Sequence, residues 1–155
     1  MVLKTLCDYL DREQIRYTVI SHSPAFTAQE IAAASHISGR ELAKTVVVRA
    51  DGELLMAVLP ASYRIDVETM GDHLGANRVE IAHEDEFHNR FPGCETGAMP
   101  PFGNLYGLPV CVARELTEDE YIAFNAGSHT ELVQMRYDDF DRLVRPRILD
   151  FAAIV

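Results

Sequence analysis

Residues 43–60, AKTVVVRADGELLMAVLP, read as two strands joined by the two-residue loop Asp51-Gly52. That dipeptide accepts the positive φ angles of a tight hairpin turn, and the flanking runs are rich in β-branched and aliphatic residues. Successive strand residues point to opposite faces, so Lys44, Val46 and Val48 share one face and Thr45, Val47 and Arg49 the other. Lys44 therefore begins a row that turns apolar, with its amine at the edge of a core. A lysine snorkelling from a strand end to water fits the same pattern. The second strand is apolar on both faces, which suits a central position in a sheet.

Working outward, residues 2–13 place Val2, Leu3, Leu6, Tyr9 and Leu10 on one stripe of an amphipathic helix. Residues 16–21, RYTVIS, suit a strand that His22, Ser23 and Pro24 end. Thr27 with Glu30 forms a capping-box pattern for a second helix stopping near Gly39. Residues 66–74 predict a short helix led by Asp66 and followed by Gly75, with Gly71 as a weak point inside it. A strand over 78–82 precedes HEDEFHNRF (83–91), taken as a helix with an acidic first turn. His83 and His88 are five apart, a spacing at which two helical side chains diverge, so no metal site is expected there. Residues 108–113 form a buried-strand run, 121–125 and 130–135 a second hairpin, and 138–144 a final helix. Helices interleaved with hairpins predict an α+β fold: a mixed, largely antiparallel sheet with helices packed around it.

The 155 residues amount to one domain, and no linker or repeat divides them. With 48% hydrophobic and 25% charged residues, the composition is that of an ordinary globular protein. No apolar run approaches the roughly 18 residues of a spanning helix, and no signal peptide opens the chain, so the cytoplasm is the expected compartment and no membrane partner is expected. Cys7, Cys94 and Cys111 show no CxxC spacing and are expected to be reduced thiols. A net charge of −10 opposes broad contact with a polyanion and argues against DNA. Basic residues gather at Arg40, Lys44 and Arg49 and again at Arg142, Arg145 and Arg147, enough for a few phosphates, or simply scattered surface charge.

Residues 95–103, ETGAMPPFG, cannot be helix or central strand, because Gly97, Gly103, Pro100 and Pro101 break both. Glycine allows backbone N–H groups to approach a ligand, and proline stiffens the loop that presents them. There is no GxSxG elbow, no catalytic cysteine signature and no phosphate-binding GxxxxGK[ST]. An enzyme with this inventory would position water and stabilise charge with backbone N–H groups and one ammonium, chemistry that suits an ester. No cofactor is called for.

Gly97, Pro101 and Gly103 fit GxxxPxG. Together with HSPAFTAQE (22–30), the lysine of LAKTVVV and FNAGSHTELV (124–133), the chain resembles the YbaK/EbsC family, related to the editing domain of bacterial prolyl-tRNA synthetases. The resemblance implies a curved α+β sheet and a free-standing, trans-acting deacylase of mischarged aminoacyl-tRNA. It assigns Lys44 to the terminal phosphate or the substrate carbonyl, and the Gly97 backbone to the amino-acid moiety or the oxyanion. Pro101 and Gly103 would hold the loop, while Gly127, Ser128 and His129 would line the pocket; the terminal ribose hydroxyl would help direct the water. His22, at a strand end, is a further pocket candidate, and a hydrogen-bonded turn histidine is its plainer role. The partners implied are the aminoacyl-tRNA acceptor end and a synthetase that supplements weak tRNA affinity. A non-catalytic module binding an aminoacyl nucleotide or amino acid, and a hydrolase of small esters or amides unconnected to tRNA, use the same residues.

Overall fold

The computed structural model describes residues 2–24, 28–35 and 37–154. The hairpin forms as expected, with β2 (Leu42–Ala50) antiparallel to β3 (Glu53–Pro60) and Lys44 opposite Leu59. Both turn residues have positive φ, 49° at Asp51 and 88° at Gly52, as a primed turn demands. The Asp51 carboxylate accepts backbone N–H groups of Asn77 and Arg78, so the turn also fastens the next strand.

Around this hairpin the large sheet runs β1-β8-β7-β2-β3-β6-β9. Its other strands on that path are β1 (Tyr17–Ser21), β6 (Val110–Ala113), β7 (Tyr121–Asn125), β8 (Glu131–Arg136) and β9 (Arg147–Leu149). Pairings are antiparallel for β1 with β8 and β7 with β8, and parallel for β2 with β7, β3 with β6 and β6 with β9. The expected mixed sheet is therefore present, with helices on its faces. β4 (Tyr63–Ile65) and β10 (Ala152–Ile154) add a two-stranded ribbon that the sequence pattern did not predict, as it did not predict β9.

One edge of β2 has two partners. Leu42 and Ala43 pair with β7, whereas Val48, Arg49 and Ala50 pair with β5 (Val79–Ile81). The sheet forks between those pairings, and Lys44 lies at the start of the fork.

Both faces of the sheet are covered. Phe102, Phe124, Phe140, Leu6 and Leu10 head one core, which takes in α1 (Val2–Arg12) and α5 (Tyr137–Val144). On the opposite face Leu55, Ala57, Leu59, Met70 and Phe151 form a second core under α3 (Val67–Leu74), and Leu42, Ala123 and Leu132 form a third beside α2 (Ala28–Ser35). This double coverage explains why β3 is apolar at alternate and intervening positions alike. Thr27, the expected cap of α2, lies outside the described residues.

In α3, Asp66 Oδ1 accepts the Thr69 N–H at 3.1 Å and Gly75 closes the helix at φ 70°. Gly71 is buried, and its close face meets β5. The helix expected over 83–91 is only α4 (Glu84–Phe87), followed by one 3-10 turn, His88–Arg90. The Phe91-Pro92 step explains the early stop, since a residue before proline avoids helical dihedrals.

Candidate functional site

The Gly/Pro loop divides at Gly97. Glu95, Thr96 and Gly97 are exposed, while residues 98–103 are buried. Phe102 anchors the buried half, its ring 5.5 Å from those of Phe124 and Phe140 and 6.1 Å from Tyr9. Met99 is also core. Pro101 is buried beside them. Gly103 is required by packing, because a Cβ there would lie 2.3 Å from Leu108 O. Its carbonyl accepts the N–H groups of Tyr106 and Leu108. Pro101 and Gly103 thus hold the loop from within.

The exposed half is tied to the loop between β7 and β8. Glu95 N–H donates to Gly127 O, Gly127 N–H donates to Ala98 O, both at 2.8 Å, and the Glu95 carboxylate accepts the His129 N–H. His129 Nε2 donates to Thr96 O at 2.8 Å, since a carbonyl can only accept. His129 is buried, not the solvent-exposed turn histidine that its loop position also allowed. Gly97 has φ 79°, its Cβ position 3.9 Å from His129 Cε1, and its N–H has no hydrogen-bond partner among the described residues. Gly127 has φ 97° and abuts Val2 so closely that a Cβ would come within 2.6 Å. Ser128 Oγ bonds Thr130 Oγ1 and Glu131 rather than facing outward alone.

On the sheet, Lys44 stands one residue beyond the Ala43–Phe124 pair, beside Asn125, the last residue of β7. Lys44 shares its face with Leu42 and Val46, at the seam between the second and third cores. It is half-buried and has no hydrogen-bond or ion-pair partner among the described residues. Burial alone lowers its pKa. His22 continues β1, donating its N–H to Thr130 O at 2.9 Å, and falls on the same face as Ile20 two residues before it. Its Nδ1 donates to Ser23 O, and its Nε2 is buried without a partner among the described residues.

The 126–130 loop is tied to the residues on either side of Gly97 by backbone and imidazole hydrogen bonds and to His22 by a strand bond, and Lys44 lies on β2 next to the end of β7. Of the two readings left open for the basic residues, the ion pairs favour scattered charge. Arg49 faces away from Lys44 and pairs with Glu80 and Glu86, and Arg40 pairs with Glu118. Arg142 is held by Asp139, and Arg147 donates to His73 O. The thiols of Cys94 and Cys111 are pushed up by burial, away from the thiolate a nucleophile needs. Asn125 escaped the sequence reading. A lone polar residue ending the apolar strand YIAFN was the available signal.

The family model of the aminoacyl-tRNA editing domain matches residues 22–143. The chain belongs to the aminoacyl-tRNA editing domain family. Two relatives of this editing domain align over most of their length. The prolyl-tRNA editing protein ProX of Acetoanaerobium sticklandii is 26% identical over 151 residues, covering 94% of this chain and 92% of ProX. The multifunctional Ser/Thr-tRNA deacylase ProXp-y of Escherichia coli K12 is 30% identical, covering 92% and 87%. A crystal structure of a candidate trans-editing enzyme for prolyl-tRNA synthetase shares the fold, with TM-score 0.81 and 17% identity over 98% of this chain and 97% of that one.

Proposed function

We propose that this editing domain is a trans-acting hydrolase that removes a wrongly attached small amino acid from aminoacyl-tRNA. The observation that carries this reading is the placement of Lys44: a half-buried ammonium with no carboxylate partner, on the sheet fork beside the loop that holds Gly97. An unpaired, partly desolvated cation attracts a phosphate or a carbonyl oxygen more strongly than one in water. The free N–H of Gly97 is a donor for the oxyanion that forms when water adds to the ester carbonyl. Collapse of that intermediate returns the electron pair to the carbonyl and expels the ribose oxygen, which takes a proton. The products are a free amino acid and an uncharged tRNA. No nucleophilic side chain is needed, in keeping with the raised thiol pKa values.

The acidic surface limits the contact with tRNA to its acceptor end, and a synthetase partner would supply the remaining affinity. His129 and Gly127 shape the Gly97 loop, and His22 borders the same face. The relatives' names direct the choice of esters to test.

The test is deacylation of tRNAs mischarged with alanine, serine, threonine or cysteine, by the wild-type protein and by Lys44→Ala. Loss of one ester that depends on Lys44 is expected. A folded protein that hydrolyses none but binds an aminoacyl-nucleotide analogue would replace this reading with a binding module. Equal hydrolysis of simple esters lacking tRNA would replace it with a general esterase.

A further inference from the structure

Asn125 Oδ1 is buried, and no described residue hydrogen-bonds it. A sheltered acceptor without a donor is unfavourable, since bulk water cannot satisfy it. Beside it in the register stands Lys44, a donor without an acceptor. The last ladder pair, Ala43 with Phe124, is the step just before them, and paired strands lie about 4.8 Å apart, so the flexible four-carbon lysine stem starts within side-chain range of Oδ1.

We propose that Asn125 is the positioning residue for Lys44, accepting a hydrogen bond from its ammonium and so holding that cation at the mouth of the fork. The remaining ammonium protons then point to the substrate. The consequence for deacylation rests on the function proposed above, but the contact itself does not.

The surroundings favour an amide as the holding group. On that face Lys44 is flanked by Leu42 and Val46 along β2, Leu59 on β3 and Asn125 on β7. His22 lies two strands beyond β7, and no carboxylate acts on the amine, whose pKa responds to burial only. A carboxylate partner would neutralise the cation that the substrate requires. A neutral acceptor orients it and leaves its charge available.

Lys4 and Lys44 are the only lysines of the chain, so their side-chain NMR signals are readily told apart. Lys4 is exposed and paired with Asp8, and serves as the internal reference. The Lys44 ammonium is titrated by 13C- and 15N-detected NMR in the wild type, Asn125→Ala and Asn125→Asp. Asn125→Ala is expected to lower the Lys44 pKa by about one unit, and Asn125→Asp to raise it by at least as much, with Lys4 unmoved. The alkaline limit of deacylation should move with the same signs. A Lys44 titration unchanged in both variants overturns the proposal, and if Asn125→Ala does not fold, Asn125→Asp decides. Shifts of the expected sign in a protein that deacylates nothing would keep the contact and overturn the function.

Discussion

His129 Nε2 donates to the carbonyl oxygen of Thr96 across 33 residues of chain, at 2.8 Å, and so fixes the peptide that precedes Gly97. The imidazole acts on the loop rather than on bulk solvent. Replacing His129 by Ala removes the donor and opens a gap under the loop, at about 1–2 kcal/mol of stability. The larger effect is on activity, because a loop displaced by about 1 Å can lower catalysis on the order of a hundredfold. Deacylation kinetics beside thermal melting separate the two; equal activity would show that the loop keeps its shape without the imidazole.

Gly97 and Gly103 predict opposite phenotypes within one motif. At Gly97 there is room for a methyl group but φ is 79°, so Gly97→Ala costs about 1–2 kcal/mol locally and moves the exposed N–H. The expected result is a folded protein with little activity. At Gly103 the methyl collides with Leu108 O and with Val110 Cγ2 at 2.6 Å, so Gly103→Ala is destabilised by roughly 1–3 kcal/mol or more. Denaturation midpoints of both variants check the contrast.

Lys44→Met is expected to abolish deacylation while leaving the protein at least as stable at neutral pH. The unfolded chain keeps the lysine proton up to its ordinary value of 10.5, whereas the folded chain releases it earlier. Between those two pH values the unfolded state binds more protons, so wild-type stability rises with pH. The advantage of Lys44→Met should therefore shrink as pH rises through that window. Urea denaturation at several alkaline pH values tests the sign.

Phe102→Ala should cost about 3–5 kcal/mol, because the ring is fully buried against Phe124, Phe140 and Tyr9. Activity should fall with it, since the same side chain anchors the Gly97 loop. A variant as stable as the wild type would show that the loop is held elsewhere.

Local chemistry made much of this legible. Asp51-Gly52 announced its turn, Asp66 and Gly75 bracketed their helix, and the YIAFN and ELVQM runs their hairpin. The short strands β4, β9 and β10 have three residues each, too few for a two-residue period to show. The candidate site was legible only in part. Gly97, Lys44 and His129 could be named, but the burial of His129 depends on a loop 33 residues away. Likewise, the end of β7 with Asn125 is brought next to Lys44 only by a parallel pairing that no local pattern specifies.

The hairpin turn also carries a parity. Pleated strands alternate sides, so slipping β2 by one residue against β3 would send Lys44 to the aromatic core and put Thr45 or Ala43 in its place. The two positive φ angles at Asp51 and Gly52 exclude that slip. The face that Lys44 presents is thus set at a turn remote from the fork, through the register that the turn starts.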